Sequence, residues 1–225
     1  MKSTEITLTI PQVIEARNRG LRNLADSLKK RKPMTSLEAV IKAETGHEHF
    51  NTIMVDKFPH LECVVNKNVE SGKSDTGGVE LKTTTTKKRV FWLTRTQLIG
   101  RSYFVFLQCD EQIATLDPIQ WRDLIKHTRV RTGGIKSWAS VGDITKLMNK
   151  IDKTPKPNKQ KHRFENKTED SYYIPLADLR TPSGKMFEIL KDQVHDFGLP
   201  KDNFDELEKL QLSHAYDSLC FTCDV

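Results

Sequence analysis

The stretch Tyr103-Phe-Val-Phe-Leu-Gln-Cys109 constrains the fold more than any other part of the chain. Its aromatic and β-branched residues read as a β-strand, and its apolar residues fall at both parities, so the strand needs cover on both faces. The surrounding sequence offers helices and strands to build those layers. Val13, Ile14, Leu21, Leu24 and Leu28 recur at helical spacing after Thr9-Ile10-Pro11, an N-cap followed by a tolerated early proline. Thr35-Ser-Leu-Glu38 has capping-box spacing and opens a second helix. Beyond Gly46, the residues Phe50, Ile53, Met54 and Phe58 form a further helical stripe stopped by Pro59. Then the period changes: His60–Val69, Gly78–Thr86 and Arg89–Leu93 read as strands, with Glu70–Ser74 as a turn. Helices are expected from Asp117-Pro118, over Val141–Ile151, from Thr181-Pro182 and after Asp202. Tyr172–Leu176 and the tail from Ser218 read as strands. Interspersed helices and strands predict an α/β fold, a mixed central β-sheet flanked by helices, in one domain spanning 1–225.

Charge narrows the partners. The 225 residues hold 36 Lys+Arg and 30 Asp+Glu, a net +6. Residues 185–225 contain four lysines and nine acids, which leaves 32 basic and 21 acidic residues in the first 184. From Lys82 to Arg101 there are six basic residues and no acid. A polyanion is the partner such a face suits. No apolar run is long enough to span a membrane, and MKSTEITLTI lacks the apolar core of a signal peptide. The four cysteines are then expected as reduced thiols in a cytoplasm. Cys220-Phe-Thr-Cys223 has CxxC spacing but lacks partners for zinc, and packed cysteines in a terminal strand are the expectation. His47 and His49, two apart on a helix, make a poor chelate, and the three tryptophans are assigned to the core. No Gly-rich phosphate loop occurs, so no nucleotide cofactor is expected.

The chemistry concentrates in Ser74-Asp75-Thr-Gly-Gly-Val-Glu80-Leu-Lys82. Side chains alternate along a strand, so Glu80 and Lys82 share one face while Val79 and Leu81 enter the core. Asp75 precedes them in a turn able to fold its carboxylate beside Glu80. Two carboxylates converging at a strand end suit Mg²⁺, which needs only one or two protein carboxylates plus phosphate oxygens. An ammonium two residues on can hold a water and offset charge on a phosphoryl transition state. The second acid-x-Lys in the chain, Glu165-Asn-Lys167, has no strand to present it.

Asp75, Glu80 and Lys82 fill the three positions of the PD-(D/E)xK nuclease motif, which this stretch resembles, with Ser74 where the name-giving proline stands. Gly-Val-Glu-Leu-Lys-Thr is also similar to the corresponding stretch of MutH-like endonucleases. The resemblance covers Gly46 to Cys109 and implies a restriction-endonuclease-like catalytic core at about 46–110. It further implies a Mg²⁺ cofactor, the Leu81 backbone carbonyl as a metal ligand, and Glu48 on the preceding helix as a site acid. A compact chain without helicase, ATPase or zinc-finger motifs resembles a type II restriction endonuclease, expected as a homodimer cutting a palindromic duplex. Two other readings stay open: a repair or recombination nuclease of the same superfamily, and a non-catalytic nucleic-acid-binding protein.

Phosphate contacts are expected from Lys87, Lys88, Arg89, Arg95 and Arg101. Base reading is expected from a loop at about 128–138 carrying Arg129, Arg131 and Lys136 around Gly133-Gly134, with Trp138 beside it. A second basic loop is expected at about 149–168, carrying Lys159, Lys161 and Arg163.

Overall fold

The computed structural model describes residues 4–29, 36–66, 75–85, 87–155, 158–164 and 167–198. Strand β1 (Thr4–Thr9) runs directly into helix α1 (Ile10–Lys29), where Thr9 and Gln12 hydrogen-bond to each other across the helix start. Helix α2 (Leu37–Lys57) is capped by Ser36, whose hydroxyl accepts from the Ala39 N–H at 3.3 Å. It continues unbroken through Gly46, so the two expected stripes belong to one helix. The glycine is there for space rather than for a break: a Cβ at Gly46 would lie 1.9 Å from Thr83 Oγ1 on the strand beneath.

Strands β2 (Val79–Thr85), β3 (Val90–Leu93) and β4 (Tyr103–Cys109) follow, then helix α3 (Pro118–Leu124), which the Asp117 carboxylate caps at the Ile119 N–H. Strand β5 (Arg129–Ser140) leads into helix α4 (Val141–Asp152), and β6 (Lys159–Phe164) pairs with β7 (Lys167–Pro175). Helix α5 (Gly184–Lys191), capped by Ser183 rather than Thr181, is shorter than its sequence pattern predicts.

The central sheet has the order β1-β5-β4-β2 and is mixed, β2 lying parallel to β4 and the other pairs antiparallel. A parallel pair needs a crossover, and β3 supplies it by leaving for a second sheet of order β3-β7-β6. Strand β4 is buried on both sides, as its sequence requires. Val105, Leu107 and Cys109 join α1, α2 and α5 in one core, while Phe104 and Phe106 join β3, β7 and α4 in the other. Full burial of such side chains stabilises by roughly 1.5–3 kcal/mol each. The fold is thus α/β, with a mixed central sheet flanked by helices.

Four expectations need correction. His60–Val69 is not a strand: residues 60–66 are irregular and drop Leu61, Val64 and Val65 into the core, while 67–69 lie outside the described residues. The 128–138 segment is no loop but β5, the strand between β1 and β4. Its Gly133 has φ +134°, and an added Cβ would meet the Gln108 carbonyl oxygen at 1.9 Å, so this glycine admits the neighbouring strand rather than DNA. The 149–168 segment is the end of α4 followed by strand β6 and the start of β7. Trp92, assigned to the core, is 46% exposed, whereas Trp121 and Trp138 are buried. Ser74, the helix after Asp202 and Cys220-Phe-Thr-Cys223 lie outside the described residues. No helix among the described residues is long and apolar enough to cross a membrane.

Candidate active site

Edge strand β2 places the chemistry by alternation. Val79 and Leu81 are buried in the core shared with α2, and Glu80 and Lys82 project from the opposite face. The turn before the strand is pinned from outside. The Asn66 N–H donates to the Asp75 carbonyl at 3.0 Å, Gly78 N–H to the Gln193 carbonyl at 3.0 Å, and His195 N–H to Thr76 Oγ1 at 3.2 Å. So held, Asp75 turns its Oδ2 back to accept the Leu81 N–H at 2.7 Å. In a β-strand the N–H and C=O of one residue point to the same side. The Leu81 carbonyl is therefore directed to the edge that Asp75 occupies rather than toward β4.

Glu80 sits between two cations. Lys82 Nζ donates to its Oε1 at 2.6 Å and Arg101 Nε to its Oε2 at 2.7 Å. Burial would raise the Glu80 carboxyl, but Lys82 and Arg101 outweigh it and hold the group below its ordinary value. Asp75 moves the other way: burial raises it, the Glu80 charge adds to the rise, and His47, the Leu81 N–H and Lys82 offset only part. Asp75 thus resists ionisation chiefly because it is buried, and the neighbouring Glu80 charge adds to that resistance. A divalent cation beside Asp75 would favour its ionised form.

The α2 side chain against Asp75 is His47, whose Nε2 lies 3.5 Å from Oδ1. Its Nδ1 lies 3.5 Å from Glu44 Oε2. Burial alone would depress the imidazole, yet Asp75 and Glu44 on either side hold it above its ordinary value. Behind this pair stands Arg19 of α1, 2% exposed. It donates to Glu15 Oε1 at 2.7 Å, Glu44 Oε2 at 3.0 Å and Glu48 Oε2 at 2.9 Å. Burial opposes ionisation of Glu44, but His47 and Arg19 bring its carboxyl down to about 2. Glu48, the expected site acid, is thus drawn to Arg19 at the α1–α2 contact.

Sequence reasoning missed Arg19, Glu44 and His47. A signal existed: Arg19 follows Ala16 by three residues and Val13 by six, so an arginine lies on the apolar stripe of α1. A cation on a buried stripe demands carboxylates, and Glu44 and Glu48 are one helical turn apart on the next helix. His49, by contrast, is a core residue: it hydrogen-bonds Thr132 on β5, and burial pulls its ring down to about 3.

Several cations expected on DNA make ion pairs within the protein. Arg101 holds Glu80, Arg95 holds Asp152 and Asn149, Arg131 holds Glu5, and Lys159 bridges Asp152 and Asp170. Lys87 meets Glu111 at an exposed site. Lys88, Arg89 and Arg129 are exposed and Lys136 is half-buried. The side chains of Lys161 and Arg163 lie outside the described residues.

The donor set fits Mg²⁺ better than zinc. Among the described residues no three His, Cys, Asp or Glu side chains surround one metal position. Two carboxylates and a main-chain carbonyl at a strand edge are hard oxygen donors of the number Mg²⁺ takes from protein. No protein-family model, curated protein or solved structure matches the chain significantly.

Proposed function

We propose that the chain is a Mg²⁺-dependent endonuclease that hydrolyses phosphodiesters of double-stranded DNA, with a PD-(D/E)xK-type, restriction-endonuclease-like core. The observation that supports it most is the gathering of Asp75, Glu80 and Lys82 at the start of β2, where Asp75 accepts the Leu81 N–H at 2.7 Å and Lys82 is bound to Glu80 at 2.6 Å. The type II restriction role, the palindromic site and the homodimer rest on the resemblance of the 74–82 stretch.

Asp75, Glu80 and the Leu81 carbonyl would hold the ion. Mg²⁺ bound there supplies charge for the non-bridging oxygens of the scissile phosphate. Lys82 positions the attacking water and offsets developing negative charge on the phosphorane. Arg101 keeps Glu80 ionised and oriented, and the pinned turn keeps Asp75 on the strand edge. The water oxygen bonds to phosphorus, the bond to the 3′ oxygen breaks, and that oxygen takes up a proton. The products carry 5′-phosphate and 3′-hydroxyl ends.

The test is a plasmid incubated with the protein and Mg²⁺, beside the same mixture in EDTA and with Glu80→Ala. Discrete linear products from the wild type with Mg²⁺ support the restriction reading, and nicked circles support the nickase alternative. Intact DNA across plasmid and phage substrates overturns hydrolysis and leaves a binding protein.

A further inference from the structure

The edges of the two sheets face each other across a cleft of about 400 Å³. One wall is β2, from Lys82 to Thr85, and the other is β3, with Val90 and Trp92. The first turns of α2, carrying Ser36 and Lys42, close the end. Lys82 belongs both to this cleft and to the Glu80 pair, so the cleft opens directly on the candidate site.

Its lining is that of a strand-binding groove. Lys42, Lys82 and Lys88 contribute positive charge, and Glu38 is the one acid among the described lining residues. Neither Lys42 nor Lys88 makes an ion pair among the described residues, unlike Arg95, Arg101 and Lys159. The N-terminal end of α2 adds a positive dipole. Trp92 is 46% exposed although an indole is costly to leave in water, and it stands in the cleft wall. Cations beside an exposed aromatic face make up the stacking platform that single-stranded nucleic acid uses. A space of about 400 Å³ holds one nucleotide rather than a duplex.

Building on the nuclease reading, we propose that this cleft takes one unpaired nucleotide of the DNA strand next to the scissile phosphate. Its base stacks on Trp92 and its flanking phosphates lie on Lys42 and Lys88. Extrusion of that nucleotide draws the phosphodiester toward Lys82 and Glu80, which an intact duplex holds further out.

The experiment reads binding without chemistry. A short labelled single-stranded oligodeoxynucleotide is titrated into the full chain in EDTA, following label anisotropy and indole fluorescence. Trp121 and Trp138 are buried, so an oligonucleotide-dependent quench reports Trp92. The proposal expects a quench with the oligonucleotide and none with inorganic polyphosphate. Trp92→Ala should weaken binding about 5- to 100-fold, with Trp92→Phe close to wild type. Lys42→Ala with Lys88→Ala should flatten the salt dependence by about 0.7 per lost phosphate contact. No quench, an equal quench by polyphosphate, or unchanged binding by Trp92→Ala overturns it. A protein that passes these tests but never cuts in Mg²⁺ loses the nuclease reading and keeps the cleft; one that cuts but fails them loses the cleft alone.

Discussion

Replacing Arg19 by methionine removes a cation that joins α1 to both Glu44 and Glu48 of α2. The guanidinium contacts Glu15, Glu44 and Glu48 at 2.7, 3.0 and 2.9 Å, and Glu44 and Glu48 are buried. Breaking a buried ion pair by deleting one partner costs about 3–5 kcal/mol, because the surviving charges stay buried. The pH dependence separates this cost from lost packing. A glutamate at about 2 in the folded chain, against 4.5 for the ordinary group, contributes about 3 kcal/mol. That contribution is fully present above the ordinary value and is lost as pH falls toward the folded one. Arg19→Met lets the Glu44 carboxyl rise, with His47 still lowering it, so the variant loses less stability on acidification. Urea unfolding followed by circular dichroism should show a deficit of about 3–5 kcal/mol at neutral pH that narrows steadily toward pH ~3. Adding Glu44→Gln and Glu48→Gln should restore most of it. A deficit below about 1 kcal/mol, or one independent of pH, would refute the buried network.

Gly46→Ala pushes a methyl group against Thr83 Oγ1 and should destabilise by about 1–3 kcal/mol in thermal unfolding, with Thr83→Ala restoring much of the loss. Gly133→Ala, blocked by the Gln108 carbonyl in addition to its φ, should cost about 4 kcal/mol or more and appear as insoluble or unfolded protein; a soluble, stable variant would contradict the placement of β5. Cys109, buried and pushed up to about 12, should resist thiol reagents in the native protein and react only on unfolding.

The parts of the fold legible in the sequence are those set by local periodicity. Tyr103–Cys109 and Val79–Thr85 carry their own strand pattern, and Ser36, Asp117 and Ser140 cap helices with their own side chains. Strand β5 was hidden because its run of Arg, Thr, Gly and Lys is loop-like in composition. Neighbours on both sides, β1 and β4, impose the strand, an instance of tertiary context overriding propensity. The same effect hid the β6–β7 hairpin, where paired strands hold residues whose charge suggested a loop. At the candidate site, Asp75, Glu80 and Lys82 are close in sequence, so their grouping was legible from spacing, although Asn66, Gln193 and His195 pin the turn that holds Asp75 in place. Arg19, Glu44, His47 and Arg101 reach the site only through packing of α1 on α2 and the path of the chain from β3 to β4.

Asp75, Glu80 and Lys82 are proposed to act as one hydrolytic unit. The most direct measurement compares cleavage of phage DNA by wild type and Lys82→Ala, at Mn²⁺ concentrations where calorimetry shows both proteins equally loaded. Lys82→Ala should bind the ion and lose at least about 100-fold in cleavage rate, while Asp75→Asn and Glu80→Gln should lose ion binding as well. Cleavage by Lys82→Ala at the wild-type rate, or ion binding unaffected by both carboxylate variants, would contradict this proposal.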